Sequence, residues 1–225
     1  MKIRACIFDI GGTLVKTDVA LLKAIEMALE ANGVNAPSND VLVASFGTGN
    51  YNNIRSAVTA AYHGENADDV VEKCFQTFQR IYPDDFLDVF CLFPNVQSTL
   101  IKLVTLKVKL AVQTGFTSRE AKLILNQLNL LGFFQAVITI DDVRIPRPAP
   151  DALFVTMDRL GVARNECLYV GDTIADIRFA KNAGVVGVCV TTGVQDRALL
   201  AAEQPDYMLH DIAEITTLLG NANVT

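Results

Sequence analysis

Residues 3–14 read Ile3-Arg4-Ala5-Cys6-Ile7-Phe8-Asp9-Ile10-Gly11-Gly12-Thr13-Leu14. Ile3 to Phe8 is a short apolar run in which Arg4 is the one polar residue, and Gly11-Gly12 halts the pattern soon after. A run of this length ended by glycines predicts a buried strand that stops in a tight loop. In parallel α/β sheets, ligands bind at the carboxyl ends of the strands, which is where Asp9 falls. An ordinary aspartate in a strand-to-helix loop is the alternative for this stretch alone.

Beyond Leu14 the rhythm changes. From Asp18 to about Phe86 the pattern is helical. Asp18 is read as the cap of a helix with Leu21, Leu22, Ile25 and Leu29 on one face and Gly33 as its stop. Ser38-Asn39-Asp40 starts a second, short helix through Val41, Leu42 and Val43, and Phe46-Gly47-Thr48-Gly49-Asn50 is a loop. A third helix is expected from Asn52 to Tyr62, and a fourth carries Val70, Val71, Cys74, Phe75 and Phe78 up to Pro83.

From Pro94 onward helices and strands alternate. Helices are expected at Asn95–Leu106, Ser118–Leu130, Asp151–Leu160 and Ile174–Ala183. They precede strands at Val108–Gln113, Ala136–Ile140, Cys167–Val170 and Val185–Val190, and a last helix lies near Ala213–Leu219. Alternation of this kind predicts a parallel sheet covered on both faces. The first strand has no partner in the helical block and must join that sheet. The expected fold is therefore α/β, a doubly wound parallel sheet with an inserted helical domain. Residues 1–16 and 87–225 form the Rossmann-like core and residues 17–86 the insertion, with a cleft where the two meet.

Composition narrows the function. The 225 residues carry a net charge of −6 without any run of Lys or Arg, which argues against nucleic acid or an anionic membrane as partner. No apolar stretch is long enough to span a bilayer, and Met1-Lys2 leads into the strand without a cleavable signal pattern. Cys6, Cys74, Cys91, Cys167 and Cys189 are scattered and form no C-x-x-C, so neither a zinc site nor a disulfide framework is indicated. A cytoplasmic location is expected, and monomer and homodimer both stay open. Asn223-Val224-Thr225 matches a glycosylation sequon and is read as chance.

Three more stretches fall at expected strand ends: Thr114-Gly115, Arg147-Pro148-Ala149-Pro150-Asp151, and Gly171-Asp172-Thr173-Ile174-Ala175-Asp176. Asp9, Thr114, Arg147, Asp172 and Asp176 can thus converge on one edge. Clustered carboxylates repel one another unless a cation lies between them. A donor set of oxygens without His or Cys suits a hard cation such as Mg²⁺. A hydroxyl, a backbone N–H and an arginine fork suit an anion with several oxygens, phosphate above all.

With these four stretches in order, the chain resembles the haloacid dehalogenase superfamily hydrolases with a helical cap inserted after the first motif, on the phosphoglycolate phosphatase and phosphonatase side. The resemblance covers the whole chain. It implies that Asp9 is the nucleophile that forms an aspartyl-phosphate. It implies a Mg²⁺ site made by Asp9, the backbone carbonyl of Gly11 and Asp172, with Asp176 as a further or neighbouring carboxylate. Thr114, the N–H of Gly115 and Arg147, which stands where the family usually has lysine, would hold phosphoryl oxygens. The implied partner is a small phosphorylated metabolite. Asp172 and Asp176 suit a metal that the dehalogenating members do not use.

Two residues depart from the pattern. Gly11 stands where phosphatases of the family keep a second Asp, the general acid and base, so Gly11→Asp is expected to help turnover of alkyl phosphates. Arg147 replaces lysine and cannot easily give up a proton. Both departures resemble phosphonoacetaldehyde hydrolases, whose cap lysine forms a Schiff base. Here Asn50 aligns with that lysine, and Lys73, the only lysine later in the insertion, belongs to the fourth helix. Gly47, Gly49 and Asn50 are expected to line the substrate cleft, the alternative for the two glycines being only a turn between helices. Arg55 is either a surface residue or an anion contact, and His63 and His210 lie near no motif. Three readings stay open: a Mg²⁺-dependent phosphatase, a phosphonatase-like C–P hydrolase, and a catalytically weak phosphate-binding protein.

Overall fold

A computed structural model describes residues 2–222, so the sequon at Asn223 lies outside the described residues. The sheet has six parallel strands. They are β1 (Ala5–Phe8), β4 (Lys109–Gln113), β5 (Ala136–Ile138), β6 (Cys167–Gly171), β7 (Val186–Val190) and β8 (Tyr207–Leu209), in the order β5-β4-β1-β6-β7-β8. β1 is central: Ile7 pairs with Ala111 of β4 on one side and with Tyr169 of β6 on the other. Side chains alternate along it. Ala5 and Ile7 pack toward α7 (Asp151–Leu160) and α8 (Ile174–Ala183). Cys6 and Phe8 face the side covered by α5 (Val96–Thr105), α6 (Ser118–Gln127) and α10 (Glu214–Ala222). A strand buried on both faces must be apolar throughout, which explains the unbroken A-C-I-F.

The insertion comprises α1 (Asp18–Glu30), α2 (Asn39–Val43), α3 (Asn50–Ala61) and α4 (Ala67–Ile81). Leu21, Ala24, Ile25 and Leu29 of α1 pack with Ile54, Ala57 and Val58 of α3 and with Val71, Cys74 and Phe78 of α4. The chain enters and leaves the insertion through a two-stranded antiparallel pair, β2 (Val15–Lys16) with β3 (Cys91–Leu92). Two residues per strand are too few to show an alternation, so this pair leaves no trace in the sequence.

Other boundaries moved for identifiable reasons. Thr17, not Asp18, precedes α1, and Asp18 is its first residue; neither side chain makes a capping hydrogen bond. Asn50 opens α3 two residues earlier than the sequence suggests, because Gly49 at φ 100° makes the turn into the helix. The expected helix Ser118–Leu130 stops at Gln127, and Asn129, at φ 55°, turns the chain away from it. The sheet gains an edge strand, β8, reached through α9 (Arg197–Ala202). Both are short and half-exposed, which hides their periodicity.

Candidate active site

Asp9 follows β1 directly and Asp172 follows β6, so adjacent strands deliver two carboxylates to one point. Asp176, on the first turn of α8, supplies a third. One oxygen from each lies within 4.8 Å of the others, and all three residues are buried. Glycines make the approach possible: a side chain on Gly12, whose φ is 76°, or on Gly193 would overlap the Asp172 carboxylate. Thr13 donates to Asp172 Oδ1 at 2.8 Å.

Arg147 is the one cation in the cluster. Its guanidinium is buried, donates to Asp176 and to the Tyr169 hydroxyl (2.7 Å), and reaches Asp9 Oδ1 at 3.4 Å. Its Nε has no partner. Asp176 is saturated: Arg147 and Tyr169 (2.6 Å) donate to Oδ1, while the Thr173 N–H (3.0 Å) and hydroxyl (2.6 Å) donate to Oδ2. Asp9 and Asp172 are not. Burial, opposed by Arg147 and reinforced by Asp176, pushes the Asp9 carboxyl up to about 6. Burial and its two acidic neighbours push Asp172 well above the usual carboxylate range. Three buried carboxylates against one guanidinium leave an all-oxygen site short of positive charge, which is consistent with a divalent metal at Asp9 and Asp172.

The remaining expected residues line the same cavity, which measures about 60 Å³. Thr114, at the end of β4, is buried, and its hydroxyl helps offset the rise at Asp9. Gly115 lies where the core meets the insertion: a side chain there would meet Arg147 Nη2 and the Gly49 backbone at 3.2 Å. Gly47, at φ 88°, has the Thr173 hydroxyl where a Cβ would go, and Gly49 has Ile140 Cδ1 at 2.9 Å. Both glycines therefore do more than turn the chain; they let the insertion's loop seat on the core. Asn50 lines the cavity and donates to Glu120 Oε1 of α6 at 2.9 Å.

At Gly11 a Cβ would stand 2.6 Å from Oγ1 of the buried Thr17, so a side chain there has to turn the threonine hydroxyl aside. Lys73 is exposed on α4 and does not line the cavity, and among the described residues no lysine or histidine does. Arg55 is exposed and paired with Asp68 at 3.1 Å, away from this cavity.

Sequence reading missed Thr17, Asp18, Tyr169, Asn53 and the Gly193-Val194 segment, all of which join the site or its lining. Tyr169 reads as one more apolar residue of a central strand, and only the fold aims its hydroxyl at Arg147. Asn53 alone carried a signal, a polar residue on the buried face of α3, three positions after Asn50.

Fold and site together define a doubly wound α/β core with a helical insertion and a buried carboxylate cluster at the strand ends. The family model described as haloacid dehalogenase-like hydrolase matches residues 6–190, and the chain belongs to that family. It is a hydrolase related to phosphoglycolate phosphatases. The phosphoglycolate phosphatase of Pectobacterium atrosepticum is 30% identical over 221 residues, covering 98% of this chain and 94% of the relative. That of Yersinia pseudotuberculosis is 29% identical over 218 residues, covering 97% and 94%. A crystal structure from Haemophilus somnus, described as a predicted phosphoglycolate phosphatase, superposes with a TM-score of 0.88 at 24% identity, covering 97% of this chain and 98% of that one, and establishes the shared fold. Among the described residues no helix is long and apolar enough to cross a membrane.

Proposed function

We propose that the protein is a Mg²⁺-dependent phosphatase of a small phosphorylated metabolite, acting through an aspartyl-phosphate on Asp9, with residues 17–86 as a cap over the cleft. The observation that carries this reading is the underbonded pair Asp9 and Asp172 beside a saturated Asp176. Asp9 and Asp172, with the Gly11 carbonyl, would hold the metal. Bound Mg²⁺ would offset the repulsion between Asp9 and an anionic substrate.

The chain's own residues do the rest. Thr114, the Gly115 N–H and the free side of the Arg147 guanidinium hold phosphoryl oxygens. Asp176 and Tyr169 fix Arg147 in place. An Asp9 oxygen attacks phosphorus while the bond to the leaving oxygen breaks, and the leaving alcohol takes a proton from water. A second water then attacks phosphorus, the bond to Asp9 breaks, and inorganic phosphate departs. Gly11 contributes no acid or base to either half. The first half therefore favours good leaving groups, and the second is slow.

A phosphonatase-like reaction has less support, because neither Asn50 nor the exposed Lys73 can supply an imine in the cavity. A phosphate-binding protein without turnover is the competing reading, favoured by Gly11, which has no side chain to act as acid or base. A screen of aryl and alkyl phosphates and phosphonates, with Mg²⁺ and with chelator, separates the three. Mg²⁺-dependent phosphate release from an aryl phosphate supports the phosphatase; binding without release supports the competitor.

A further inference from the structure

The cavity that Asp9 lines measures about 60 Å³. A water needs about 10–15 Å³ of such space, so the cavity holds about four to six, and every group on its wall is close to the reacting atoms. The reaction derived above uses two waters, and no side chain named so far holds either. Thr114 and Arg147 are given to phosphoryl oxygens and Asp172 to the metal. Thr173 donates to Asp176, and Asn50 to Glu120.

Thr17 is a polar residue of the same wall without a task. It follows β2 and precedes α1, so the fold fixes it at the entry to the insertion, where it is 4% exposed. Its hydroxyl does not cap α1, and among the described residues it makes no other hydrogen bond. It is not sealed either: the partnerless side-chain atoms closed off from solvent are Asn53 Oδ1, Tyr82 Oη, Gln113 Oε1 and Arg147 Nε. An unsealed, unpaired hydroxyl on a buried residue of the cavity wall opens into the cavity. Its place is fixed by Gly11, another wall residue, since Oγ1 lies 2.6 Å from where a Gly11 Cβ would stand. Gly11 follows Asp9 by two residues, at most about 7 Å of chain, so the hydroxyl stands beside the nucleophile.

We propose that Thr17 is a catalytic residue whose hydroxyl holds the leaving oxygen in the first half of the reaction and the attacking water in the second. The proposal rests on the phosphatase reading. Leaving oxygen and attacking water take the same position, across phosphorus from the Asp9 oxygen, so one fixed group serves both. A hydroxyl can donate one hydrogen bond and accept others. In the first half its O–H donates to the leaving oxygen, whose proton comes from water. In the second half its oxygen accepts a hydrogen bond from the attacking water. The water oxygen bonds to phosphorus, the bond from phosphorus to Asp9 breaks, and one water proton passes to a phosphoryl oxygen. Dihydrogen phosphate leaves, Asp9 is again a carboxylate, and Thr17 keeps its own proton throughout.

Rapid-quench and steady-state kinetics on 4-nitrophenyl phosphate with Mg²⁺ test this in the wild type, Thr17→Val, Thr17→Ala and Thr17→Ser. Valine keeps the branched shape and removes no cap from α1. Breakdown of the aspartyl-phosphate, and kcat with it, should fall about ten-fold in Thr17→Val and Thr17→Ala, the worth of one hydrogen bond. The burst rate and kcat/KM report the first half, and 4-nitrophenolate leaves unaided, so both should stay near wild type. Thr17→Ser keeps the hydroxyl and should restore the breakdown. Should Thr17→Val fail to fold, Thr17→Ala and Thr17→Ser decide. An unchanged kcat without the hydroxyl, equal losses in kcat and kcat/KM, or a Thr17→Ser as slow as Thr17→Ala would overturn the role. So would a loss confined to Asp18→Asn, the next residue on the same wall. A wild type with neither burst nor phosphate release would overturn the hydrolase reading itself, and the Thr17 role with it.

Discussion

Asp9 is asked to be ionised in a place that resists ionisation. Its carboxyl rises from 3.8 to about 6 on burial, so between those values the folded state holds a proton that the unfolded state has released. Stability contributed by that proton is present at low pH and lost as pH rises through about 6. Metal-free protein should therefore lose stability from pH 4 to pH 7. Asp9→Asn, which removes one of three crowded carboxylates, should abolish turnover yet stabilise the metal-free protein at pH 7 by about 1–3 kcal/mol. Denaturant melts at the two pH values check this, and a less stable Asp9→Asn would contradict it. Gly11 makes a second residue-scale case. Gly11→Asp alone must displace the Thr17 hydroxyl, 2.6 Å from the new Cβ, and should give no gain on alkyl phosphates. Gly11→Asp with Thr17→Ala has the room, and its gain is bounded by the roughly 10²–10⁴-fold of general acid–base catalysis. Steady-state rates of both variants on one alkyl phosphate decide the matter.

At the scale of elements, the glycine loop joins the insertion to the core. Gly47 is held at φ 88° with the Thr173 hydroxyl where a side chain would point. Gly47→Ala adds about 1–2 kcal/mol of left-handed backbone strain and pushes the loop off Thr173. Its catalytic efficiency should fall more than ten-fold while its melting temperature drops by only a few degrees; unchanged kinetics would show that the loop does not need to seat. This loop also marks the limit of what the sequence discloses. The residues Phe46-Gly47-Thr48-Gly49 show a turn, and nothing in them names Thr173 and Ile140 as the surfaces that forbid a side chain. The strands β1, β6 and β7 are legible because burial on both faces keeps them free of charged residues, and β4 because its centre, Leu110 to Val112, is apolar. The strand β8 is not, because an edge strand of three half-exposed residues has no such constraint.

For the whole molecule, parallel strands set side by side carry Asp9 and Asp172 to one edge, and the first turn of α8 adds Asp176 to them. Their convergence was legible because each follows a readable strand or opens a readable helix. The hydrogen bonds that separate their roles were not, since the donors on Asp176 come from β6, from Thr173 just before α8 and from the Arg147 loop. The excess of buried negative charge predicts that Mg²⁺ raises the melting temperature, more at pH 7.5 than at pH 5, because metal and proton compete for the same oxygens. A chelator should abolish both the shift and any phosphate release.

The most direct test of an aspartyl-phosphate on Asp9 is a rapid-quench experiment with an aryl phosphate and Mg²⁺, followed by mass analysis of the N-terminal peptide. Because Gly11 offers no base to activate water, breakdown of the intermediate should be the slow half. A burst of released phenol should match phosphoryl groups found on Asp9, and both should vanish in Asp9→Asn. Steady turnover with no burst, and with the phosphoryl group absent from Asp9 or carried by another residue, would contradict the account.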